Sequence, residues 1–269
     1  IMFLDDRLYG VFVSLRAFNK IELSDTEPAI ITAQAGAALP EFARQALLWG
    51  FTGFEGLEGI PGTIGGAVIM NAGAYGDEIK DCILAVEGFL STGEPFRFEP
   101  RDMKFRNRNS VFRDELGKYI VLSATFRGVP GDRKEIFRKM ELFHAKRHTY
   151  QDFLYPTLGS VFSTLDLYND LAHDDPKLLF LIKWFKRAFY SKKIRRHTPM
   201  NRVKLNRFMC RYFGWTFDEQ PFSDKTMNSI TNRGQHTDAF LAYIELLKTK
   251  LPDTVHIENE LMFENLFEE

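Results

Sequence analysis

Residues 59–76 read GIPGTIGGAVIMNAGAYG, and how this stretch is read decides the fold. It holds six glycines and one proline, and Tyr75 is its only ionisable side chain. Glycine loses more backbone freedom on folding than any other residue, so a cluster this dense points to close approach of main chain to another group. Successive exposed amides in such a segment form an anion-binding nest suited to a phosphate or diphosphate. Asn71 adds a side-chain amide, and Ile60, Ile64, Val68, Ile69 and Met70 are placed to wall an aromatic ring. Together these features suit a dinucleotide-like cofactor. Tight turns between strands would account for Pro61-Gly62 as well. The string is neither GxGxxG nor GxxxxGK[ST], so its chemistry alone does not name the cofactor.

Four downstream segments carry further candidates, each with an ordinary alternative. Residues 105–112 read FRNRNSVF, where two arginines and a serine are equally at home on a surface. Residues 155–162 read YPTLGSVF; a Gly-Ser before an apolar pair is usually a turn. There is no GxSxG elbow, so Ser160 is not read as a hydrolase nucleophile. Residues 256–261 read HIENEL, with Glu258 and Glu260 on one face of a strand or simply solvated. Residues 222–234 read FSDKTMNSITNRG, a polar loop entering a strand at 229–231.

The glycine-rich string resembles the flavin-contacting signature of the bacterial UDP-N-acetylenolpyruvoylglucosamine reductases of cell-wall precursor synthesis. The resemblance implies an α+β chain: a vanillyl-alcohol-oxidase/PCMH-type FAD-binding domain, then a smaller α+β substrate domain. It implies flavin contacts at Gly59, Ile60, Pro61, Gly62, Thr63, Ile64, Gly65, Gly66, Asn71, Ala72, Gly73, Ala74 and Tyr75. Residues 105–112 resemble the family's YRxSxF motif, which places Arg108 on the substrate-carboxylate arginine and Ser110 beside the substrate; Asn107 stands where the tyrosine is usual. A guanidinium fork suits a carboxylate and stabilises negative charge as an enol forms. Residues 155–162 resemble PxxGSxF, which makes Ser160 the general acid; a positioned proton donor contributes ~10²–10⁴-fold. The closing segment resembles LExE and makes Glu260 the third catalytic residue, with Asn259 where proline is common. Asn228 and Asn232 correspond to the substrate-pocket segment. The implied cofactors are FAD and NADPH, and the implied partner is a UDP-linked amino sugar. The resemblance implies that Arg108, Ser160 and Glu260 converge on one cavity.

The chain departs from that pattern in two places. It opens at Ile1, already strand-like, and lacks the family's preceding glycine-rich segment ending GSN, so the FAD-binding domain is expected to be N-terminally incomplete. After Ser160 the family continues GSxFKNP. This chain instead has STLDLYND and a helical insertion over about 164–215. Residues 176–217 hold twelve Lys or Arg and no Asp or Glu. Such a segment is a solvated helix face, a basic rim for a diphosphate, or an interfacial helix with lysines around Trp184 and Phe185. Without the FKNP lysine, one of Lys192, Lys193, Arg195 or Arg196 is expected to contact the diphosphate. The alternatives to the reductase reading are another flavin oxidoreductase of the same fold, an inactive fragment, and a basic module binding membrane or nucleic acid.

Size and composition are compatible with this. The 269 residues suffice for two domains. With 45% hydrophobic residues, 26% charged residues and a net charge of −1, the chain reads as globular, and no nucleic-acid partner follows from overall charge. Twenty-six phenylalanines forecast aromatic cores. Cys82 and Cys210 are far apart with no metal spacing, so neither a metal site nor a disulfide is expected, and a cytoplasmic setting fits. No apolar run approaches the ~20 residues of a membrane span. Domains are expected at 1–128 and 129–269, parted at Val129-Pro130-Gly131. Strands are expected at 1–4, 11–15, 29–33, 82–89, 119–126 and 255–263. Helices are expected at 39–49, where Pro40 sits in the first turn, at 132–147 capped by Asp132, across 164–210, and at 238–251.

Overall fold

The computed structural model describes residues 13–152, 154–190 and 199–257. The chain divides into two compact units, one Gly10–Lys146 and the other Ile1–Tyr9 with Arg147–Glu269. In the first unit the elements run β1 (Ile21–Leu23), β2 (Ile30–Gln34), α1 (Leu39–Trp49), β3 (Phe51–Thr52), α2 (Ile64–Ile69), β4 (Gly73–Ala74), β5 (Asp77–Glu78), β6 (Ile83–Leu90), β7 (Pro95–Phe98), α3 (Val111–Asp114), β8 (Tyr119–Arg127), β9 (Val129–Pro130) and α4 (Arg133–Tyr150). The second unit holds β10 (Thr157–Ser160), α5 (Leu167–Asp170), α6 (Pro176–Tyr190), α7 (Pro199–Phe213), β11 (Phe222–Ser223), β12 (Thr226–Thr231) and α8 (Thr237–Lys248).

The first unit is built on an antiparallel sheet ordered β1-β2-β8-β6-β7. Helix α1 has the expected bounds. Its apolar residues Leu39, Phe42, Ala43 and Ala46 face the core, Pro40 sits in the first turn, and Gly50 closes it with φ 80°. Glycine takes that left-handed closing conformation without a Cβ penalty. Phe42 packs on Phe54 and Phe126 with ring centroids 5.1 and 4.7 Å apart. Burying each such ring contributes roughly 1.5–3 kcal/mol. The Asp132 carboxylate accepts from the amides of Lys134 (2.9 Å) and Glu135 (3.0 Å), which starts α4. Ile136 and Met140 of α4 belong to this core, so the units part after residue 146 rather than at the turn at 129–131.

The second unit pairs β10-β12-β11 into a small antiparallel sheet. Leu178 and Ile182 of α6, Leu205 and Met209 of α7, and Phe240, Tyr243, Ile244 and Leu247 of α8 share its core.

Two expectations change. Residues 13–15 form no strand; β1 lies further on. Ser24 N bonds Ile30 O, and β1 pairs with β2 as a hairpin. The glycine stretch is not continuous loop, because α2 occupies its middle. The described residues of 164–210 are helical as expected, in α5, α6 and α7. The expected strand at 1–4 lies outside the described residues, and of the strand expected at 255–263 only 255–257 are described, with Ile257 in a single bridge to Phe162.

Candidate functional site

The glycine stretch is shaped by the strand before it. Gly65 N bonds Ala35 O (2.8 Å), Ile64 N bonds Ala37 O (2.9 Å), and Leu39 N bonds Gly62 O (3.0 Å). The approach is close: an added Cβ at Gly65 would lie 3.1 Å from Ala35 Cβ and 3.2 Å from Ala35 O. This anchoring turns Ile64, Ala67 and Val68 into the core. Ile64 and Val68 therefore do not wall a cofactor ring, because the helical period gives their side chains to the interior.

The outward side is nearly bare main chain. Pro61, Gly62 and Gly66 are exposed. A Cβ at Gly62 (φ 136°) would meet nothing within 4 Å, and one at Gly66 would meet only Thr63 Oγ1, at 3.9 Å. Among the described residues, neither the Gly62 nor the Thr63 amide reaches an acceptor. A surface with no side chains and free donors fits a phosphate-bearing, flat-ringed cofactor.

The far end of the stretch is wired to the arginine segment. Asn71, fully buried with φ 43°, donates Nδ2 to Arg106 O (3.0 Å) and Glu78 Oε2 (3.1 Å) and accepts from Lys80 N at 3.0 Å. Ser110 Oγ donates to Ile69 O (2.7 Å), and Arg108 Nη2 donates to Gly73 O (2.7 Å). Arg108 stands at the tip of a tight turn: Arg106 N bonds Asn109 O (2.9 Å), and Arg108 takes φ 51°. Three hydrogen bonds thus tie 69–73 to 106–110. Glu78 lies within this frame. The Lys80 ammonium, bonded to it at 2.5 Å, holds its carboxyl below the usual range, with Asn71 and Arg108 adding to the effect. Gly73 has no room for a side chain, since a Cβ would lie 2.4 Å from Asp77 O. The Tyr75 ring stacks on Phe143 of α4, with centroids 4.5 Å apart.

A second frame seats α4 on the turn after β3. Glu55, 1% exposed, accepts from Thr52 Oγ1 (2.6 Å) and Gly53 N (2.7 Å), and Lys139 Nζ lies 3.5 Å away. Burial works to raise this carboxyl, but the Thr52 and Gly53 hydrogen bonds and the Lys139 charge outweigh it, and the net shift is downward.

Ser160 belongs to the second unit. It is exposed at the end of β10, opposite Ser229 of β12, and its hydroxyl has no partner among the described residues. Just before it, Gly159 has φ 75°, and a Cβ there would meet nothing within 4 Å. The strand is held from beneath. Thr157 Oγ1 donates to Ile230 O (2.7 Å), and Val161 N bonds Asn228 O (2.8 Å). The Asn228 side chain clamps the next residue: Nδ2 donates to Phe162 O and Oδ1 accepts from Phe162 N, both at 2.9 Å. Both ends of that amide serve the strand, so Asn228 supports Ser160 rather than facing solvent. Asn232 is exposed, and its Oδ1 accepts from Gly234 N at 2.8 Å. The closing segment pairs here through Phe162 and Ile257, and Ser163 N bonds His256 O (2.9 Å). Glu260 lies outside the described residues, as do Lys192, Lys193, Arg195 and Arg196. No group of three His, Cys, Asp or Glu suited to a metal occurs among the described residues. No described helix is long and apolar enough to cross a membrane.

Residues 4–99 match the FAD binding domain family. The chain is 40% identical over 162 residues to the UDP-N-acetylenolpyruvoylglucosamine reductase of Carboxydothermus hydrogenoformans, covering 60% of this chain and 52% of that one. It is 40% identical over 153 residues to the enzyme of the same name from Staphylococcus saprophyticus, covering 57% and 48%. Over these residues the chain is similar to UDP-N-acetylenolpyruvoylglucosamine reductases. It spans about half the length of the curated relatives it matches. The crystal structure of UDP-N-acetylenolpyruvylglucosamine reductase from Thermus caldophilus superposes with TM-score 0.60 at 24% identity, over 85% of this chain and 71% of that one, and shares its fold. The expected PCMH-type FAD-binding fold in a mixed α/β chain is thereby established.

Sequence reading missed Glu78, Lys80 and the 34–38 segment that seats α2. The run of small residues at 35–38 was the available signal, since it permits the close strand–helix approach at Ala35 and Ala37.

Proposed function

We propose that this chain carries out FAD-mediated reduction of a UDP-linked enolpyruvyl amino sugar, UDP-N-acetylenolpyruvoylglucosamine, with NADPH as the source of reducing equivalents and UDP-N-acetylmuramate as product. The observation that carries the proposal is the bare main-chain face at Gly62 and Gly66, wired through Asn71, Arg108 and Ser110 to the arginine turn. Bound FAD would supply the hydride that a carbon–carbon double bond accepts. Gly59, Ile60, Pro61, Gly62, Thr63, Gly65, Gly66, Asn71, Ala72, Gly73 and Ala74 shape its seat, chiefly through main chain. Holding a ring to within a fraction of an ångström is what makes hydride delivery efficient.

To Arg108 we assign the substrate carboxylate. Its left-handed backbone and its bond to Gly73 O keep the guanidinium beside the glycine segment. Negative charge that grows on the carboxylate side during reduction is stabilised most by a donor already fixed in place. To Ser160 we assign the proton delivered to the carbon next to that carboxylate. Its exposed hydroxyl and the Asn228 clamp on Phe162 support the assignment. Glu260 is the proposed third member, and Asn232 a substrate contact. A cytoplasmic location suits these substrates.

The test is turnover of the full chain reconstituted with FAD, followed as NADPH oxidation dependent on the enolpyruvyl substrate. Ser160→Ala should retain flavin and its reduction by NADPH but lower kcat by at least ~10²-fold. Undiminished turnover removes Ser160 from the reaction. Retained flavin with no activity toward the UDP-linked substrate replaces the substrate assignment by that of another flavin oxidoreductase.

A further inference from the structure

Helix α6 presents a face that the reduction chemistry does not use. Leu178 and Ile182 are fully buried in the second unit's core. On the opposite side Phe180 is 67% exposed and Trp184 58% exposed. Lys177, Lys183 and Arg187 are exposed around them. At about 100° per residue these five side chains occupy an arc of roughly 120°, and over ten residues they run about 15 Å along the axis. Around that arc the order is Lys177, Trp184, Phe180, Arg187, Lys183, so the two rings lie between flanking cations. Among the described residues, Lys183 and Arg187 have no acidic partner. The acids at the helix start are engaged: Asp174 pairs with His173 (2.8 Å), and Asp175 accepts from Tyr212 Oη (2.7 Å) and Leu178 N (2.9 Å). Lys186, the one cation nearer the core, is bonded to Asp166 and Asn169.

We infer that this face of α6 docks on an anionic phospholipid surface. Two large apolar rings left in water are costly, and rings rimmed by cations are how a surface helix sits at a bilayer interface. The rings enter the headgroup boundary, while the lysine stems lie along them and keep the ammonium groups among lipid phosphates. The inference does not depend on the flavin reading.

The test is co-sedimentation of the full chain with vesicles of phosphatidylcholine and phosphatidylglycerol (7:3) or of phosphatidylcholine alone, at ~0.1 M salt. The wild type should partition at least tenfold more strongly to the anionic vesicles. Lys183→Glu with Arg187→Glu should lower that partition about tenfold or more. Phe180→Ser with Trp184→Ser, which leaves charge unchanged, should lower it by a similar factor. Unaltered far-UV circular dichroism establishes that both variants are folded. Absence of wild-type binding to anionic vesicles overturns the inference. So does full binding by the aromatic variant, and so does tighter binding of a single-stranded oligonucleotide than of the vesicles.

Discussion

Replacing Asn71 by glycine and, separately, by alanine dissects the wiring that joins the glycine stretch to the arginine turn. Asn71 is fully buried and makes three side-chain hydrogen bonds, to Glu78, Arg106 O and Lys80 N. Its removal leaves the Lys80 amide without its acceptor, while the Arg106 carbonyl keeps the bond from Asn109 N (3.2 Å). An orphaned buried polar group costs about 1–3 kcal/mol. With one such group, and Glu78 keeping Lys80 as a partner, Asn71→Gly should destabilise the first unit by about 2 kcal/mol. Glycine accepts the φ of 43° freely. Alanine does not, and left-handed backbone costs it ~1–2 kcal/mol. Part of that is offset by the smaller entropy of its unfolded chain, about 0.4–1 kcal/mol. Asn71→Ala should therefore be worse than Asn71→Gly by about 1 kcal/mol. Hydrogen exchange read by mass spectrometry on peptides from 64–82 and 104–112 isolates the effect locally. A loss of about 2 kcal/mol corresponds to roughly thirtyfold faster exchange from protected amides in both segments. Acceleration in the first segment alone, or equal behaviour of the two variants, would refute the reasoning.

The remaining predictions concern titration. The Glu55 carboxyl titrates below its ordinary range in the folded chain, so its contribution is present above the unfolded value of 4.5 and is lost as pH falls through the lower folded value. Thermal stability should decline below about pH 4.5, and Glu55→Gln should flatten that decline; an unchanged pH profile in the variant would exclude Glu55 as the source. Burial pushes the Cys82 thiol up strongly, whereas Cys210, half-buried, is raised as well. At pH 8 iodoacetamide should label Cys82 only after denaturation, and labelling of the native chain at that residue would contradict its burial.

What could be read from the sequence follows what is local. Helix α1 was legible to the residue because Pro40, the spacing of Leu39, Phe42 and Ala46, and Gly50 all say the same thing within twelve positions. Helix α2 was not, because Gly65 and Gly66 are poor helix formers. It is held by hydrogen bonds to Ala35 and Ala37 across a gap of about thirty residues, which no window along the chain displays. The candidate residues Arg108 and Ser160 were identified by motif, but the reason they stand still was hidden. Arg108 depends on Gly73 O, 35 positions away, and the strand after Ser160 on Asn228, 66 positions from Phe162. Asn228 looked like a substrate contact because an amide in a polar loop has the same sequence signature whether it serves ligand or backbone. The apolar residues of the glycine stretch pointed toward a ring until the helical period sent Ile64 and Val68 inward.

The most direct test is FAD affinity of the full chain and its Gly66→Leu variant, measured by flavin fluorescence titration with melting temperatures alongside. A Cβ at Gly66 meets no neighbour closer than Thr63 Oγ1 at 3.9 Å, and the position is exposed on a helix, so folding should be unharmed or improved by up to ~1 kcal/mol. The same side chain fills the face assigned to the cofactor. The account predicts FAD binding by the wild type and at least tenfold weaker binding by the variant at equal or higher melting temperature. Equal affinities, or no FAD binding by the wild type, would contradict it.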